Sequence, residues 1–228
     1  MAVIKKANSD KIVLLIGRDN WQMDDSLNHI LLKNFKKNNL KIIWEDPAGK
    51  LIYKLRRIEN KINWLPNICK RINLRFTQIL FGIFKWDYFI YLKNQKNHSI
   101  ELRSEKLKKA ILKLGENKEI IILSRSSGGR ISSLIADELN IKHLICISYP
   151  FKNPEMEIEP SRYLHLEKLQ TNTLIIQGVN DEYGGIEITE KYIFSPKIKL
   201  LFVEGDHEFK INDLDWEKVL NKINEIIN

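Results

Sequence analysis

The chain has 228 residues, of which 43% are hydrophobic and 29% are charged, and its formal net charge is +8. This length can bury a substantial core, so we expect a single domain over residues 1–228. The only two cysteines, Cys69 and Cys146, exclude a disulfide framework. Because the start of the sequence also lacks an apolar stretch of signal-peptide length, we expect a protein of the reducing cytoplasm.

Short apolar strands alternate with helical patterns along the chain. The predicted strands are 11–17, 40–44, 119–123, 143–148, 173–178 and 199–203, and the predicted helices are 25–38, 102–114, 129–139, 185–193 and 214–227. The strands are mostly apolar and do not strictly alternate, which is typical of strands that are buried on both faces. The pattern therefore predicts an α/β fold with a mostly parallel central sheet and helices on both of its faces.

The loop after the first predicted strand begins with Gly17, Arg18 and Asp19. It lacks the glycine-rich pattern of a phosphate-binding loop. Two roles are open for Arg18 and Asp19. A backbone N–H of either residue can serve as one donor of an oxyanion hole, or both residues cap the helix that begins near Asp25.

Residues 50–98 are far longer than an ordinary connection, and we interpret them as a helical insertion that forms a lid. They carry eleven Lys and Arg residues against two acids, a formal charge of +9 that exceeds the +8 of the whole chain. Apolar residues recur at spacings of three and four over 62–79, which indicates an amphipathic helix. The longest apolar run in this segment, 79–84, is too short to span a bilayer.

Three interpretations of this basic insertion are open. The first is a cap whose apolar face packs over the active site while its basic residues are solvated. The second is peripheral attachment to an anionic membrane surface, for which basic residues beside Trp and Phe are typical. The third is contact with an acidic ligand or a nucleic acid, although the sequence contains no recognised nucleic-acid-binding motif.

The third predicted strand ends in the small residues of Ser124-Arg125-Ser126-Ser127-Gly128, which have the outline of a nucleophile elbow. Small residues two positions before and after the serine let the strand and the following helix pass closely, and Ser124 takes the place of the usual glycine. Ser126 is the candidate nucleophile, although serines in such turns often have only a local role. The backbone N–H of Ser127 is a candidate oxyanion donor. Arg125 either contacts an acidic group of the substrate or satisfies carbonyl groups.

Two later strands are followed by the partners that a serine nucleophile needs. Asp181 follows strand 173–178 and His207 follows strand 199–203, so the chain order is serine, acid, histidine. Serine is a poor nucleophile until an imidazole takes its proton, and a carboxylate fixes the tautomer of that imidazole. Asp206 and Glu182 are rival acids.

The residues from about 120 to 209 resemble the small α/β-hydrolases related to dienelactone hydrolase, and more closely the group of testis-expressed protein 30 and the hydrolase-like region of KAT8 complex subunit 3. The matching stretches are Ser124 to Arg130, Ser148 to Phe151, His165 to Leu166, Gln177 to Gly184 and Asp206 to Phe209. The resemblance implies the α/β-hydrolase fold, and it makes Tyr149 a second candidate for substrate binding. That family usually has a His-Gly pair after the first strand, whereas Gly17-Arg18 stands here.

These observations predict a serine hydrolase that cleaves a carboxylic ester or thioester of a small molecule through an acyl-enzyme intermediate. We expect no cofactor and no metal, since no cluster of His, Cys and carboxylates has the spacing of metal ligands. The alternative is a catalytically degenerate hydrolase fold that acts as a binding or scaffold protein, because a fold does not fix a function. In that case the basic insertion contacts an anionic partner or a membrane surface.

Overall fold

A single parallel sheet organises the described part of the molecule. The computed structural model describes residues 11–17, 25–62, 64–97, 99–115, 118–156 and 158–227. The strands are β1 (Lys11–Ile16), β2 (Lys41–Trp44), β3 (Glu119–Arg125), β4 (Ile141–Ile147), β5 (Thr173–Gly178) and β6 (Ile198–Val203). Their order is β2-β1-β3-β4-β5-β6, and all pairings are parallel. The strand order reverses between β1 and β3, and in such sheets the carboxyl ends of the strands at this point form a crevice for ligands.

Helices cover both faces of this sheet. The α-helices of the described residues are α1 (Asp25–Lys37), α2 (Gly49–Glu59), α3 (Asn67–Phe84), α4 (Asp87–Asn97), α5 (Ile100–Leu112), α6 (Ser127–Ser133), α7 (Ile188–Lys191) and α8 (Asp213–Ile227). On one face α1 and α8 contribute Phe35 and Val219 to a large hydrophobic cluster. On the other face α5 and α6 contribute Leu107 and Ile131 to a second cluster. Both faces of the sheet are thus covered, which confirms the predicted α/β fold and explains why its strands are mostly apolar instead of alternating.

The predicted helix 129–139 is shorter in the structure, because α6 ends at Ser133. The hydroxyl of Ser132 donates to the carbonyl of Gly128 over 2.7 Å, and the hydroxyl of Ser133 donates to the carbonyl of Arg130 over 3.2 Å. Such hydrogen bonds from serine side chains compete with the backbone pattern that would continue a helix.

The predicted helix 185–193 is also shorter, and only the single turn of α7 forms. The backbone N–H of Ile186 donates to the carbonyl of Val179 over 3.1 Å, so the chain here still belongs to the loop after β5. A Cβ at Gly185 would lie 2.4 Å from that same carbonyl oxygen, and this close approach requires glycine.

The described residues between 49 and 97 form α2, α3 and α4, which we call the helical segment and which correspond to the range predicted as a helical insertion. Its own small hydrophobic cluster consists of Ala48, Ile52, Leu74 and Tyr88. Trp44, at the end of β2, packs against both this cluster and a cluster of the sheet, so it joins the segment to the body. None of the helices in the described ranges combines the length and hydropathy that crossing a bilayer requires.

Candidate active site

Ser126 lies in the sharp turn between β3 and α6, with φ 50° and ψ −120°. A positive φ is costly for a residue with a side chain, and such strain is concentrated at functional sites. Two backbone hydrogen bonds hold the turn. The N–H of Ser126 donates to the carbonyl of Ile147 over 3.0 Å, and the N–H of Gly129 donates to the carbonyl of Ser126 over 2.7 Å. The serine is therefore fixed at the carboxyl-terminal edge of the sheet.

Small residues around Ser126 let α6 pass close to the sheet. A Cβ added at Gly128 would lie 2.7 Å from the carbonyl oxygen of Ile16 in β1, so glycine is required there. Ser124, in the place of the usual first glycine, is fully buried, and its hydroxyl donates to the carbonyl of Ile145 over 3.1 Å. A hydrogen bond to β4 thus accommodates the departure from the G-x-S-x-G pattern.

Three polar side chains from separate loops form a hydrogen-bonded chain. Oγ of Ser126 lies 2.8 Å from Nε2 of His207, and Nδ1 of His207 lies 2.9 Å from each carboxylate oxygen of Asp181. Because an ionised carboxylate only accepts, these partners assign the proton of the neutral ring to Nδ1, and Nε2 accepts from the serine hydroxyl. Ser126, His207 and Asp181 are 8%, 5% and 3% exposed, so water competes little for these hydrogen bonds.

Two further donors hold the carboxylate of Asp181. Nε2 of Gln177 donates to Oδ2 over 2.9 Å, and the backbone N–H of Tyr183 donates to Oδ1 over 2.8 Å. The ring of Tyr183 also packs against the imidazole of His207, with ring centroids 4.3 Å apart. Both members of the acid–histidine pair therefore have defined orientations.

The two rival acids have other environments. Glu182 is exposed to solvent. Oδ1 of Asp206 is buried without a hydrogen-bond partner among the described residues. Since Ser126 and Asp181 occupy the two ring nitrogens of His207, Asp181 is the acid that the structure brings to the imidazole.

Gln177 is a residue of this site that the sequence analysis missed. Its side chain is fully buried; it accepts from the N–H of Tyr149 over 2.9 Å and donates to the carbonyl of Gly184 over 2.6 Å, in addition to Asp181. One amide group thus connects the loops that follow β4 and β5. Its signal in the sequence is a large polar residue that directly follows the apolar run Leu174 to Ile176 of a buried strand.

Arg125 and Tyr149 support the surrounding backbone. Arg125 is buried, and its guanidinium donates to the backbone carbonyl of His207. It also borders a cleft near Trp44 at the end of β2. Tyr149 is fully buried, and its hydroxyl donates to the carbonyl of Arg162 over 2.6 Å. These contacts lend no support to the expected substrate-binding role of either side chain.

Ser127, the candidate oxyanion donor, follows the nucleophile candidate directly and begins α6. As the first residue of α6, Ser127 has no acceptor for its backbone N–H within the helix. In a nucleophile elbow the residue after the nucleophile provides one of the two oxyanion donors. The second predicted donor, Arg18, and its neighbour Asp19 lie outside the described residues.

The chemistry that this arrangement allows is proton transfer from a serine hydroxyl to an imidazole that a carboxylate orients. Within the residues that the structure describes, no group of three or more His, Cys, Asp and Glu side chains is placed to hold a metal ion.

Several solved structures share the fold of this chain. A structure from work on LipS and LipT, two metagenome-derived lipolytic enzymes, has a TM-score of 0.56 and 13% sequence identity, over 97% of this chain and 95% of that one. Alpha/beta hydrolase domain-containing protein 10 from mouse has a TM-score of 0.56 and 12% identity, over 97% and 91%. The esterase domain of a Rhodothermus marinus protein has a TM-score of 0.52 and 12% identity, over 98% and 88%. At such low identities the likeness shows the fold alone.

The sequence itself matches a family model. No curated protein matches the chain significantly. The model of the alpha/beta hydrolase domain matches residues 63–228, which include α3, α4, the elbow and the loops of Asp181 and His207. This match covers well over half of the 228 residues. The chain therefore belongs to the α/β-hydrolase domain family.

Proposed function

We propose that this protein is a serine hydrolase that cleaves a carboxylic ester or thioester. Membership of the α/β-hydrolase family supports hydrolysis in general. The observation that carries the serine mechanism is the chain of hydrogen bonds from Ser126 through His207 to Asp181, with distances of 2.8 and 2.9 Å. These three side chains are buried together, and Ser126 itself lies at a strained turn, as is typical of an activated nucleophile.

In this mechanism Nε2 of His207 takes the hydroxyl proton of Ser126 while Oγ attacks the carbonyl carbon of the substrate. The carboxylate of Asp181 holds the Nδ1–H group and stabilises the imidazolium that forms. The oxyanion accepts hydrogen bonds from the N–H of Ser127 and from a second donor, which we assign to the backbone of Arg18.

The tetrahedral intermediate then collapses. The imidazolium of His207 gives its proton to the leaving alcohol or thiol, and the acyl group stays on Oγ of Ser126 as an ester. A water molecule, deprotonated by the same imidazole, attacks this acyl-enzyme, releases the carboxylic acid and restores the serine. Gln177 and Arg125 act as positioning residues, because they hold Asp181 and the backbone of His207.

We also make proposals about the subgroup, domain organisation, localisation and substrate of this protein. The elbow, acid and histidine motifs support a closer relation to the dienelactone-hydrolase-like group. We further propose that residues 1–228 form one hydrolase domain with 50–98 as its lid. We assign the protein to the cytoplasm and its substrate to small esters or acyl compounds.

Labelling with a fluorophosphonate probe tests the serine mechanism, because this probe reacts with activated serines. We expect wild-type protein to be labelled at Ser126 and Ser126→Ala to remain unlabelled. We expect the labelling rate of His207→Ala to fall by about a hundredfold or more. Peptide mass mapping identifies the labelled residue.

Ser127, which is adjacent to Ser126, provides a matched control for the labelling experiment. The hydroxyl of Ser127 has no hydrogen-bond partner among the described residues, and an alanine there keeps the backbone N–H that the oxyanion needs. Ser127→Ala should therefore be labelled. Absence of labelling in folded wild-type protein would refute the serine hydrolase and favour the scaffold alternative. Equal labelling of wild type and His207→Ala would remove the histidine from the mechanism.

A further inference from the structure

The outward side of α3 exposes a continuous row of large apolar side chains. They recur at spacings of three and four residues and are Ile68, Ile72, Phe76, Ile79 and Ile83. Residues at these spacings lie on one side of a helix, so they form a single stripe, which we call the α3 stripe. α3 has 18 residues and is therefore about 27 Å long. Extended apolar patches on a protein surface mark interaction sites.

The opposite side of α3 is already packed. Leu74 contacts the cluster that contains Ile52 of α2 and Tyr88 of α4. Gly82 lies so close to α4 that a Cβ there would be 2.5 Å from the ring of Phe89. These contacts fix the rotation of α3, so the stripe faces away from α2 and α4.

An exposed tryptophan lies beyond each end of α3. Trp64 precedes the helix and is 82% exposed, and Trp86 follows it and is 73% exposed. The ring of Trp86 makes an edge-to-face contact with Phe89, with centroids 5.3 Å apart. Tryptophan prefers the boundary between lipid headgroups and acyl chains, because its ring is apolar while its N–H needs a polar partner.

Basic residues accompany the stripe. Arg71 and Arg75 are exposed on α3, and Lys61 and Lys85 are exposed near its two ends. Between residues 60 and 93 the sequence contains one acid, Asp87. This side of the molecule therefore presents apolar and positively charged groups together.

We propose that the α3 stripe docks this protein on the surface of an anionic lipid bilayer. The apolar side chains insert among the headgroups, and the arginines and lysines approach the lipid phosphates. Charge selects this partner over a second copy of the chain, because two copies would bring the same positive side chains together. The proposal is independent of hydrolase activity.

Sedimentation with vesicles tests this proposal directly. The vesicles consist of phosphatidylcholine alone or of phosphatidylcholine mixed with phosphatidylglycerol. We expect wild-type protein to bind the mixed vesicles at low salt and to bind the neutral vesicles about tenfold less. We expect the binding to weaken as salt increases, since salt screens the electrostatic part.

Two double variants test the apolar contribution. Ile72→Gln with Phe76→Gln removes two side chains of the stripe, and we expect binding to fall by about tenfold or more. Ile193→Gln with Leu214→Gln changes two exposed apolar residues outside α3, and we expect no loss. Circular dichroism and thermal unfolding establish that both variants are folded.

Two charge variants test the electrostatic contribution. Arg71→Glu with Lys85→Glu reverses two charges beside the stripe, and we expect about tenfold weaker binding to the mixed vesicles. Lys168→Glu with Lys199→Glu makes the same change in net charge at exposed positions elsewhere, and we expect at most a small loss.

Three results would overturn the proposal. The first is no binding of wild-type protein to mixed vesicles at low salt. The second is equal loss in the stripe variants and their controls, which would mean that net charge alone drives adsorption. The third is a wild-type dimer that Ile72→Gln with Phe76→Gln converts to a monomer without changing vesicle binding, because a second copy would then cover the stripe.

Discussion

Ser126 and Ser148 share an unusual backbone but differ in what their hydroxyls meet. Each follows a strand directly and has a positive φ, 50° at Ser126 and 49° at Ser148. Each backbone N–H donates to a carbonyl of the next strand, that of Ser126 to the carbonyl of Ile147 and that of Ser148 to the carbonyl of Ile176. The hydroxyl of Ser148 is buried without a partner among the described residues, whereas that of Ser126 meets His207. The imidazole, and not the strained turn alone, therefore distinguishes the candidate nucleophile.

A second histidine, His165, has a structural environment of a different kind. Its Nε2 lies at hydrogen-bond distance, 2.8 Å, from the hydroxyl oxygen of Ser133. Burial, followed by the positive charge of Arg130, lowers the pKa of His165 to about 4, with Asp137 acting in the opposite direction. At neutral pH the ring is therefore uncharged.

The lowered pKa of His165 predicts a pH dependence of stability. Between the unfolded pKa of about 6.5 and the folded value of about 4, the unfolded chain binds a proton at this ring that the native protein does not bind. The free energy of unfolding should therefore decrease as the pH is lowered from about 6.5 to about 4, by at most about 3 kcal/mol from this residue. Urea unfolding of wild type and His165→Gln at about pH 7 and about pH 4.5 measures the difference.

The variant should lose less stability than wild type over this interval. His29→Gln serves as the control, since it removes a histidine that is bonded to Tyr53 far from this network. An unchanged pH dependence in His165→Gln would contradict the buried neutral ring.

At the scale of elements, the close packing of α6 against β1 depends on Gly128, which has no side chain. In Gly128→Ala the new Cβ would lie 2.7 Å from the carbonyl oxygen of Ile16 and 3.0 Å from that of Gly17. Both atoms belong to the backbone and cannot rotate away. We expect the free energy of unfolding to fall by about 1–3 kcal/mol, as measured by urea denaturation.

Ser127→Ala, one position earlier in the same turn, is the comparison for this prediction. Its hydroxyl makes no hydrogen bond within the described residues, so its removal should change stability by less than about 1 kcal/mol. If Gly128→Ala is as stable as wild type, then α6 lies farther from β1 than the structure shows.

The strands could be predicted because a strand that is buried on both faces is a continuous apolar run. The predicted strand 173–178 agrees with β5 at both ends. The helices after the elbow and the acid loop were predicted too long, because side-chain hydrogen bonds and loop contacts end them. Local periodicity contains no information about such contacts.

In the candidate site, too, some residues could be predicted from the strand pattern, whereas others depend on tertiary contacts. Ser126, Asp181 and His207 could be chosen because each follows a strand, and the carboxyl ends of parallel strands meet at one edge of the sheet. The role of Gln177 could not be predicted, because one of its hydrogen-bond partners, Tyr149, is 28 residues away in the sequence. Which loops share a buried amide depends on tertiary packing and not on strand order.

At the scale of the whole molecule, the helices that cover the sheet give the two cysteines different solvent exposure. Cys146 lies in β4 and is almost fully buried, and burial raises its pKa to about 12. Cys69 lies on α3 and is partly exposed. We expect N-ethylmaleimide to modify Cys69 in the native protein while Cys146 remains unmodified, because the thiolate is the reactive form.

The rate at which Cys146 reacts should follow global unfolding and rise with urea. The variants Cys69→Ser and Cys146→Ala let each thiol be measured alone, with peptide mass mapping to identify the adduct. Rapid modification of Cys146 in native Cys69→Ser protein would show that the helices do not seal the sheet.

The pairing of β1 with β3 places Lys11 opposite Glu119, 108 residues later. The loop that this pairing closes contains α1 to α5. Contacts between such distant residues form slowly, because closing the loop loses entropy before any strand contact compensates for it. During translation, β1 and the apolar outer side of α3 leave the ribosome well before β3 does. The nascent chain therefore passes through a stage in which strands β3 to β6 are still missing from the sheet, and in that interval chaperones have access to α3, the longest of the described helices.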